Sequence, residues 1–469
     1  MNTFRRTTLQ LALLLTCGNL LPQALGAERP NVVFILADDL GYGGLKCYGT
    51  DWLETPNLDR LCSEGMKFTN GYASHPTCQP SRIAILSGQY APRTGGYRVM
   101  DHHRGKEHLI KYVVPKLTGL ALEKTTFAER FRQAGYTTAM YGKWHAGNYN
   151  KSLHPRYQGF DEAYVCKSHY DVKRSDPHVD LPEGMDFSEY YTGLAIAFME
   201  DANETGKSFF LYMPYYLIHA PFETRQDYID YFRKKLEGRA FPDRNAERIP
   251  IVAAMTKHLD DCVGRLLDAL KTMGIEENTI VVFTSDNGAY TPALTGGFRG
   301  QKGHVYEGGM RVPYIFKWPG RIKPRSESTE RITHIDLYPT FLDLAGVSHP
   351  DDHVLDGESL AGLLTGKLDR LPERPICCYH PKYGQYHPKK KRWVYPWRNV
   401  IYDGNYKLRE VVEYGTYELY NLEDDPKEAH DLTKGHPERA QQLIKKLRRW
   451  ERDTGAPPLT LNPDYAPKK

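Results

Sequence analysis

The stretch Asn31-Val32-Val33-Phe34-Ile35-Leu36-Ala37 carries no charged side chain, and Asp38-Asp39 follows it at once. A short apolar run bounded in this way predicts a strand buried on both faces of a sheet. Similar runs occur at 136–141, 209–213, 279–284 and 312–317, and helical segments such as 56–61 and 127–134 lie between them. This alternation predicts an α/β fold, with a mainly parallel sheet sandwiched by helices.

The pattern changes near residues 372–375. Short runs at 399–402, 406–412 and 417–420 are typical of antiparallel hairpins, with Asp403-Gly404 as one turn. A final segment at 437–452 has one apolar face and predicts a helix. We therefore predict a main domain at 28–370 and, at 371–469, a small C-terminal subdomain of antiparallel sheet plus helix.

Composition excludes several classes of protein. The 469 residues are 40% hydrophobic and 26% charged, unlike disordered, collagen-like or small disulfide-stapled chains. A formal net charge of +4, from 62 basic and 58 acidic residues, is too balanced to suggest a nucleic-acid-binding protein. No long apolar run follows residue 30, so we expect no stable membrane insertion.

Residues 1–27 have the pattern of a secretory signal peptide. Arg5 and Arg6 precede an apolar run at 9–15, and small residues follow at 24–27. We therefore expect an exported protein, either periplasmic or secreted. Lipid anchoring at Cys17 is the lesser alternative, because the preceding Thr16 fits a lipoprotein cleavage site poorly.

Oxygen-bearing side chains follow two of the predicted strands. Asp38 and Asp39 come directly after the first strand, and Asp286 and Asn287 come after the strand at 279–284. Ligands in open α/β sheets bind beyond the carboxyl ends of the strands, so these residues can converge. Carboxylate and amide oxygens suit Ca²⁺ or Mg²⁺, whereas zinc would recruit His or Cys. The alternative is that both pairs only cap turns or helices.

A second pattern is Cys78-Gln79-Pro80-Ser81-Arg82, which leads into an apolar segment closed by Gly88. Pro80 suits the first turn of a helix, which puts Cys78 at the N-terminal end. The unpaired N–H groups there favour an anion. Arg82 lies one turn further on and can point to the same side. The alternative is a buried structural cysteine.

Cys-x-Pro-Ser-Arg followed by Ile-Leu-Ser-Gly resembles the signature of the formylglycine-dependent type I sulfatases, an arylsulfatase-like family of the alkaline-phosphatase-like superfamily. The resemblance extends over nearly the whole chain after residue 27. Its other matching segments are 37–43, 55–61, 142–145, 285–288, 302–303, 307–313 and 418–426. One departure is Gly44, which stands where the family often has Asp.

The resemblance implies that a formylglycine-generating maturation enzyme converts Cys78 to 3-oxoalanine (Cα-formylglycine). The hydrated aldehyde supplies one hydroxyl that attacks sulfur and a second that later expels sulfate. The resemblance also implies one divalent metal, with Ca²⁺ preferred and Mg²⁺ possible by ligand type. Its implied ligands are Asp38, Asp39, Asp286, Asn287 and the modified Cys78.

Catalytic roles follow from the same resemblance. Arg82 would stabilise the ionised hydrate. Lys143 and Lys302 would hold the sulfate oxygens. His145 would contact the formylglycine hydroxyl, and His219 would give a proton to the leaving alkoxide.

For the substrate, we expect a sulfated carbohydrate, such as a glycosaminoglycan, mucin or algal polysaccharide fragment, attacked by an exo-acting enzyme. The segments 97–103, 166–171 and 389–397 are candidates for the rim of its binding site. An arylsulfatase acting on phenolic sulfates is the nearest alternative, and a phosphonate or phosphate monoester hydrolase on the same scaffold is another. A non-catalytic protein that binds sulfated glycans is the least favoured.

Overall fold

The computed structural model describes residues 29–97, 99, 108–111, 119–147, 150–241, 243–384, 386–387 and 389–466. The predicted signal peptide and the alternative lipid anchor at Cys17 lie outside the described residues. Within those ranges, no helix is both long enough and apolar enough to span a bilayer.

The strands in chain order are β1 Asn31–Ala37, β2 Met66–Phe68, β3 Gly71–Tyr72, β4 Thr137–Gly142, β5 Glu162–Cys166, β6 Ser175–Asp176, β7 Phe209–Pro214, β8 Thr279–Ser285, β9 Tyr314–Lys317, β10 Ser326–Ser328, β11 Ile332–Thr333, β12 Ile376–His380, β13 Tyr386–His387, β14 Arg392–Trp393, β15 Arg398–Asp403, β16 Tyr406–Val411 and β17 Thr416–Asn421. The α-helices are α1 Pro56–Ser63, α2 Cys78–Ser87, α3 Ala91–Thr94, α4 Phe127–Gln133, α5 Phe187–Glu204, α6 Gln226–Lys235, α7 Ile249–Thr272, α8 Glu307–Met310, α9 Leu337–Ala345, α10 Ala361–Leu364 and α11 Pro437–Asp453.

The main sheet has nine strands in the order β10-β2-β9-β8-β1-β7-β4-β5-β6. Neighbouring strands run parallel except at β9, which is antiparallel to β2 and β8, and at β6, which is antiparallel to β5. β1 lies between β7 and β8, and all seven of its residues are buried. The predicted mainly parallel sheet is therefore confirmed.

Helices cover both faces of this sheet. Val33 and Ile35 of β1 point into one apolar core, which residues of α1, α5, α6 and α7 complete. Val32 and Phe34 point into a second core, which is closed by residues of α2, α4 and α9. The alternation follows from the two-residue repeat of a strand, and it explains why β1 is apolar from Val32 to Ala37.

Several predicted strand boundaries are wrong by one or two residues, and two of the differences have a clear cause. The strand predicted from residue 136 begins at Thr137, because the Tyr136 amide donates to the Phe131 carbonyl and closes α4. The strand predicted from Val312 begins at Tyr314, because the Val312 amide bonds to Gly71 instead of β8.

The C-terminal residues form a four-stranded antiparallel sheet in the order β12-β15-β16-β17. The three predicted strands and the final helix are all present there. α11 buries Leu443, Leu447 and Trp450 in a core that also includes Ala84 of α2, and the Trp450 ring lies 5.1 Å from that of Tyr90. α2 is therefore packed between the main sheet and this smaller one. The domain boundary at residue 370 stays a prediction.

Gly142 ends β4 at a point where the backbones of two strands meet closely. Its φ is +139°, and a Cβ there would lie 2.1 Å from the Pro214 carbonyl oxygen, which accepts the Lys143 amide. We expect Gly142→Ala to destabilise the protein by about 3 kcal/mol, from steric overlap added to backbone strain. Gly135→Ala is the matched control, because Gly135 also has positive φ (+88°) but open space around it. It should cost only about 1 kcal/mol. Equal losses in urea unfolding would contradict the steric argument.

Candidate active site

Four adjacent parallel strands, β8, β1, β7 and β4, deliver polar side chains to one edge of the main sheet. These side chains stand at or shortly after the carboxyl ends of the four strands, and parallel strands bring those ends together. In the same order, the side chains are Asp286 with Asn287, Asp38 with Asp39, His219, and Lys143 with His145.

Three carboxylates lie together at the centre of this edge. Asp38, Asp39 and Asp286 are fully buried, and one oxygen of each lies within 4.8 Å of the others. The Asp39 amide donates to Asp286 Oδ1 over 3.2 Å. Asp39 has φ +64°, a left-handed conformation that Asp tolerates better than most residues. Such a buried cluster of like charges is costly unless cations compensate it.

The residues present fit a hard divalent cation. Asp38 Oδ1 and Asn287 Oδ1 are buried and have no hydrogen-bond partner among the described residues. The Asn287 side-chain amide donates to Asp39 Oδ1 (2.8 Å) and to the Gly288 carbonyl (2.9 Å), so its own oxygen is left available. Available carboxylate and amide oxygens are the donor set that Ca²⁺ or Mg²⁺ takes.

Each carboxylate is also paired with a basic side chain. Lys143 Nζ donates to Asp38 Oδ2. Lys302 Nζ lies 2.6 Å from Asp39 Oδ2. Arg82 Nε lies 2.8 Å from Asp286 Oδ2, and its NH1 donates to the Lys143 carbonyl over 2.6 Å. Three cations therefore surround three carboxylates.

The pKa values of the Asp286 and Asp38 carboxyl groups move in opposite directions. Burial raises the pKa of Asp286 to about 7, with the charge of Asp38 adding to the rise. Burial would also raise the pKa of Asp38, but the positive charge of Lys143, reinforced by that of Arg82, holds it well below its usual value. Asp38 is therefore ionised at neutral pH, whereas Asp286 is only partly ionised unless a further positive charge lies beside it.

Cys78 is the first residue of α2, as the sequence predicts, and Gly88 ends that helix with φ +64°. The Cys78 side chain is 2% exposed, and its sulfur lies within 4.8 Å of ligand atoms of Asp38 and His219. Burial raises the pKa of its thiol to about 11, although Lys302 and Lys143 oppose the rise. At neutral pH Cys78 is a thiol, which is a poor nucleophile.

The two predicted catalytic histidines lie at the same edge. His219 Nε2 lies 3.9 Å from Asp39 Oδ2, and Nδ1 donates to the Ala220 carbonyl over 2.6 Å. His145 adopts φ +58°, and its buried Nδ1 has no partner among the described residues. Burial and the charge of Lys143 lower the pKa of both imidazoles, that of His145 well below its usual value.

Two histidines support the site in ways that the sequence does not predict: His169 is expected only as part of the rim segment 166–171, and His334 is not singled out. His169 is fully buried, and its Nε2 donates to the His219 carbonyl over 2.8 Å. His334 Nε2 donates to the Ser285 carbonyl over 2.9 Å, which fixes the residue before Asp286. Neither contact has a signal in the sequence, because each joins residues about 50 positions apart.

The predicted rim segments are only partly at the surface. In 166–171, Cys166 and His169 are buried. Most of 97–103 lies outside the described residues, and Tyr97 packs against Tyr379 in the C-terminal core. In 389–397, the two tryptophans are buried, whereas the basic residues and Tyr395 are exposed.

Comparison with known proteins agrees with this geometry. The profile of the sulfatase family matches residues 30–347, and one described as N-sulphoglucosamine sulphohydrolase, C-terminal, matches residues 298–453. A sulfatase of Formosa agariphila is 30% identical over 92% of this chain and 90% of its own length. The N-acetylgalactosamine-6-sulfatase of Mus musculus is 32% identical over 83% of this chain and 77% of its own length.

Among solved structures, Ps i-CgsB superposes with a TM-score of 0.76 at 25% identity, covering 91% of this chain and 94% of that one. It has also been solved in complex with k-i-k-neocarrahexaose. The family profile covers more than half of the chain, and the relatives align with most of it. The chain therefore belongs to the sulfatase family, has the alkaline-phosphatase-like fold, and is a sulfuric ester hydrolase.

Proposed function

We propose that this protein is an exported, exo-acting sulfatase that removes sulfate from a sulfated carbohydrate. The observation that carries the proposal is the convergence of three buried carboxylates and three basic side chains on Cys78. The mouse relative named for N-acetylgalactosamine 6-sulfate and the solved relative bound to a neocarrahexaose support a sugar substrate. Export rests on the pattern of residues 1–27.

The nucleophile of this proposal is an aldehyde made from Cys78 by a formylglycine-generating enzyme. As its hydrate, the aldehyde offers one hydroxyl to attack sulfur and another whose deprotonation expels the sulfate, so no water need attack a stable ester. The position of Cys78, buried at the start of α2 beside Asp38 and His219, supports this assignment.

A divalent cation held by Asp38, Asp39, Asp286 and Asn287 would polarise a sulfate oxygen and lower the pKa of hydroxyl groups beside it. The basic side chains act alongside it. Lys302 pairs with Asp39, and 19% of its side chain is exposed, so it would be accessible to a bound sulfate. Lys143 is nearly buried and lies beside Asp38. Fixed positive charges of this kind stabilise the charge that builds on the sulfate oxygens during transfer.

His219 and His145 move protons in the proposed reaction. His219 is part-exposed at the mouth of the site, where it can give a proton to the leaving sugar oxygen. Its lowered pKa in the free protein means that it takes this proton only when an anionic substrate lies beside it. His145 is deeper and neutral, which suits a group that accepts a proton from a hydroxyl at residue 78.

The first test is the mass of the peptide that contains Cys78, after co-expression with a formylglycine-generating enzyme. Denaturation and alkylation with iodoacetamide before digestion separate the hydrate from the thiol, because only a thiol is alkylated. We expect an unalkylated peptide with the mass of the aldehyde or its hydrate, and an alkylated Cys262 as the internal control. An alkylated Cys78 would contradict the proposed nucleophile.

The metal proposal is tested by counting ions. After dialysis against Ca²⁺, we expect one divalent ion per wild-type chain by mass spectrometry and none in Asp38→Ala. Asp186→Asn is the matched control, because Asp186, Glu189 and His258 form another group with ligand atoms within 4.8 Å of one another. Thermal unfolding of the wild type should shift upward with Ca²⁺, and that of Asp38→Ala should not. An ion retained in Asp38→Ala but lost in Asp186→Asn would assign it to the other group.

The role of His219 is tested with two leaving groups. 4-Nitrophenolate departs without a proton, whereas a sugar alkoxide requires one. We therefore expect His219→Gln to lower kcat/KM at least about 100-fold for a sugar sulfate and less than about 10-fold for 4-nitrophenyl sulfate. His178→Gln, at an exposed position, should change neither value. Equal losses on both esters would show that His219 is not the proton donor.

A further inference from the structure

A cavity of about 520 Å³ opens beside the catalytic edge. Its lining includes Tyr290, whose amide donates to the Asp39 carbonyl over 3.2 Å. It also includes Gln301, which precedes Lys302 and donates its side-chain amide to the Tyr290 carbonyl over 3.1 Å. The cavity therefore adjoins Lys302, to which the proposed function gives a sulfate oxygen, and Asp39. Its volume falls in the usual range for a small-molecule site.

The cavity also adjoins the chain segment that carries His219. Phe222 lines it and stands three residues after His219, the proposed proton donor to the leaving oxygen. A sugar whose sulfate sits between Lys302 and Cys78 would therefore direct the rest of its chain into this space.

Two pairs of aromatic rings line the cavity. The Phe222 and Tyr290 ring centroids are 5.1 Å apart. The His304 and Tyr395 rings are stacked 5.0 Å apart, with an interplanar angle of 27°. Flat apolar faces of this kind pack against the C–H faces of sugar rings.

Two arginines give the cavity its charge. Arg244 is exposed and makes no hydrogen bond or ion pair with any described residue. Arg248 lies 5.7 Å from the Phe222 ring centroid, and its carboxylate partner is the adjacent Glu247 at 3.8 Å. Asp243 also lines the cavity, and its two oxygens accept from Thr291 Oγ1 and the Asn245 amide. Two guanidinium groups and one carboxylate therefore line the space, which leaves it with a net positive charge.

We propose that this cavity is a subsite for a second sugar that carries its own negative charge, next to the sugar whose sulfate is cleaved. Arg244 and Arg248 bind the additional anionic group, a carboxylate or a second sulfate, in the geometry that guanidinium groups favour. The aromatic rings hold the sugar itself. The inference rests on the proposed function and narrows its substrate to glycan fragments with more than one anionic group.

The test uses three disaccharides as competitors of 4-nitrophenyl sulfate hydrolysis. In each, N-acetylgalactosamine 6-sulfate is linked to a second sugar, which is glucuronic acid, galactose 6-sulfate or neutral galactose. We expect the two charged disaccharides to inhibit the wild-type enzyme about 10-fold more tightly than the neutral one. Whichever charged disaccharide inhibits more tightly identifies the preferred anionic group as a carboxylate or a sulfate.

Variants assign the effect to the two arginines. Arg244→Ala and Arg248→Ala should each weaken inhibition by the charged disaccharides about 5- to 10-fold, with no change for the neutral one or in KM for 4-nitrophenyl sulfate. Arg233→Ala is the control, because Arg233 is an exposed arginine that does not line the cavity. Arg233→Ala should change neither the inhibition constants of the three disaccharides nor the KM for 4-nitrophenyl sulfate.

Two outcomes would contradict the subsite proposal. One is equal inhibition of the wild-type enzyme by all three disaccharides. The other is that Arg244→Ala and Arg248→Ala are inhibited by the charged disaccharides as tightly as Arg233→Ala is. Failure of the proposed function looks different. In that case, enzyme with the modified Cys78 hydrolyses neither 4-nitrophenyl sulfate nor any of the sugar sulfates.

Discussion

The pairing of buried carboxylates with buried cations is the constraint on which the rest of the site depends. Asp38, Asp39 and Asp286 have no contact with solvent, and each meets a different basic side chain. Removing one partner of such a pair leaves an uncompensated charge in the interior, which is far more costly than losing an exposed ion pair. The four strands that meet at this edge must therefore keep their register for the charges to balance.

A second buried charge network fixes the segment that carries Lys302. Lys407 of β16 bonds to Glu307 (3.0 Å) and to Glu428 (2.7 Å), and all three are fully buried. Glu428 also accepts the Glu307 amide over 2.7 Å. The C-terminal sheet thus holds the start of α8, five residues beyond Lys302. This coupling gives the small sheet a role in placing a residue of the site.

The sequence predicts those parts of the structure that depend on neighbours along the chain. The apolar run before Asp38 and the Pro80–Gly88 frame of α2 each carry a local signal, and both elements form as expected. The contacts from His169 to His219 and from Lys407 to Glu307 have no local signal, because they depend on how distant segments pack. The basic and aromatic segment at 389–397 shows the same limit, since its tryptophans serve the core and Tyr395 alone lines the cavity.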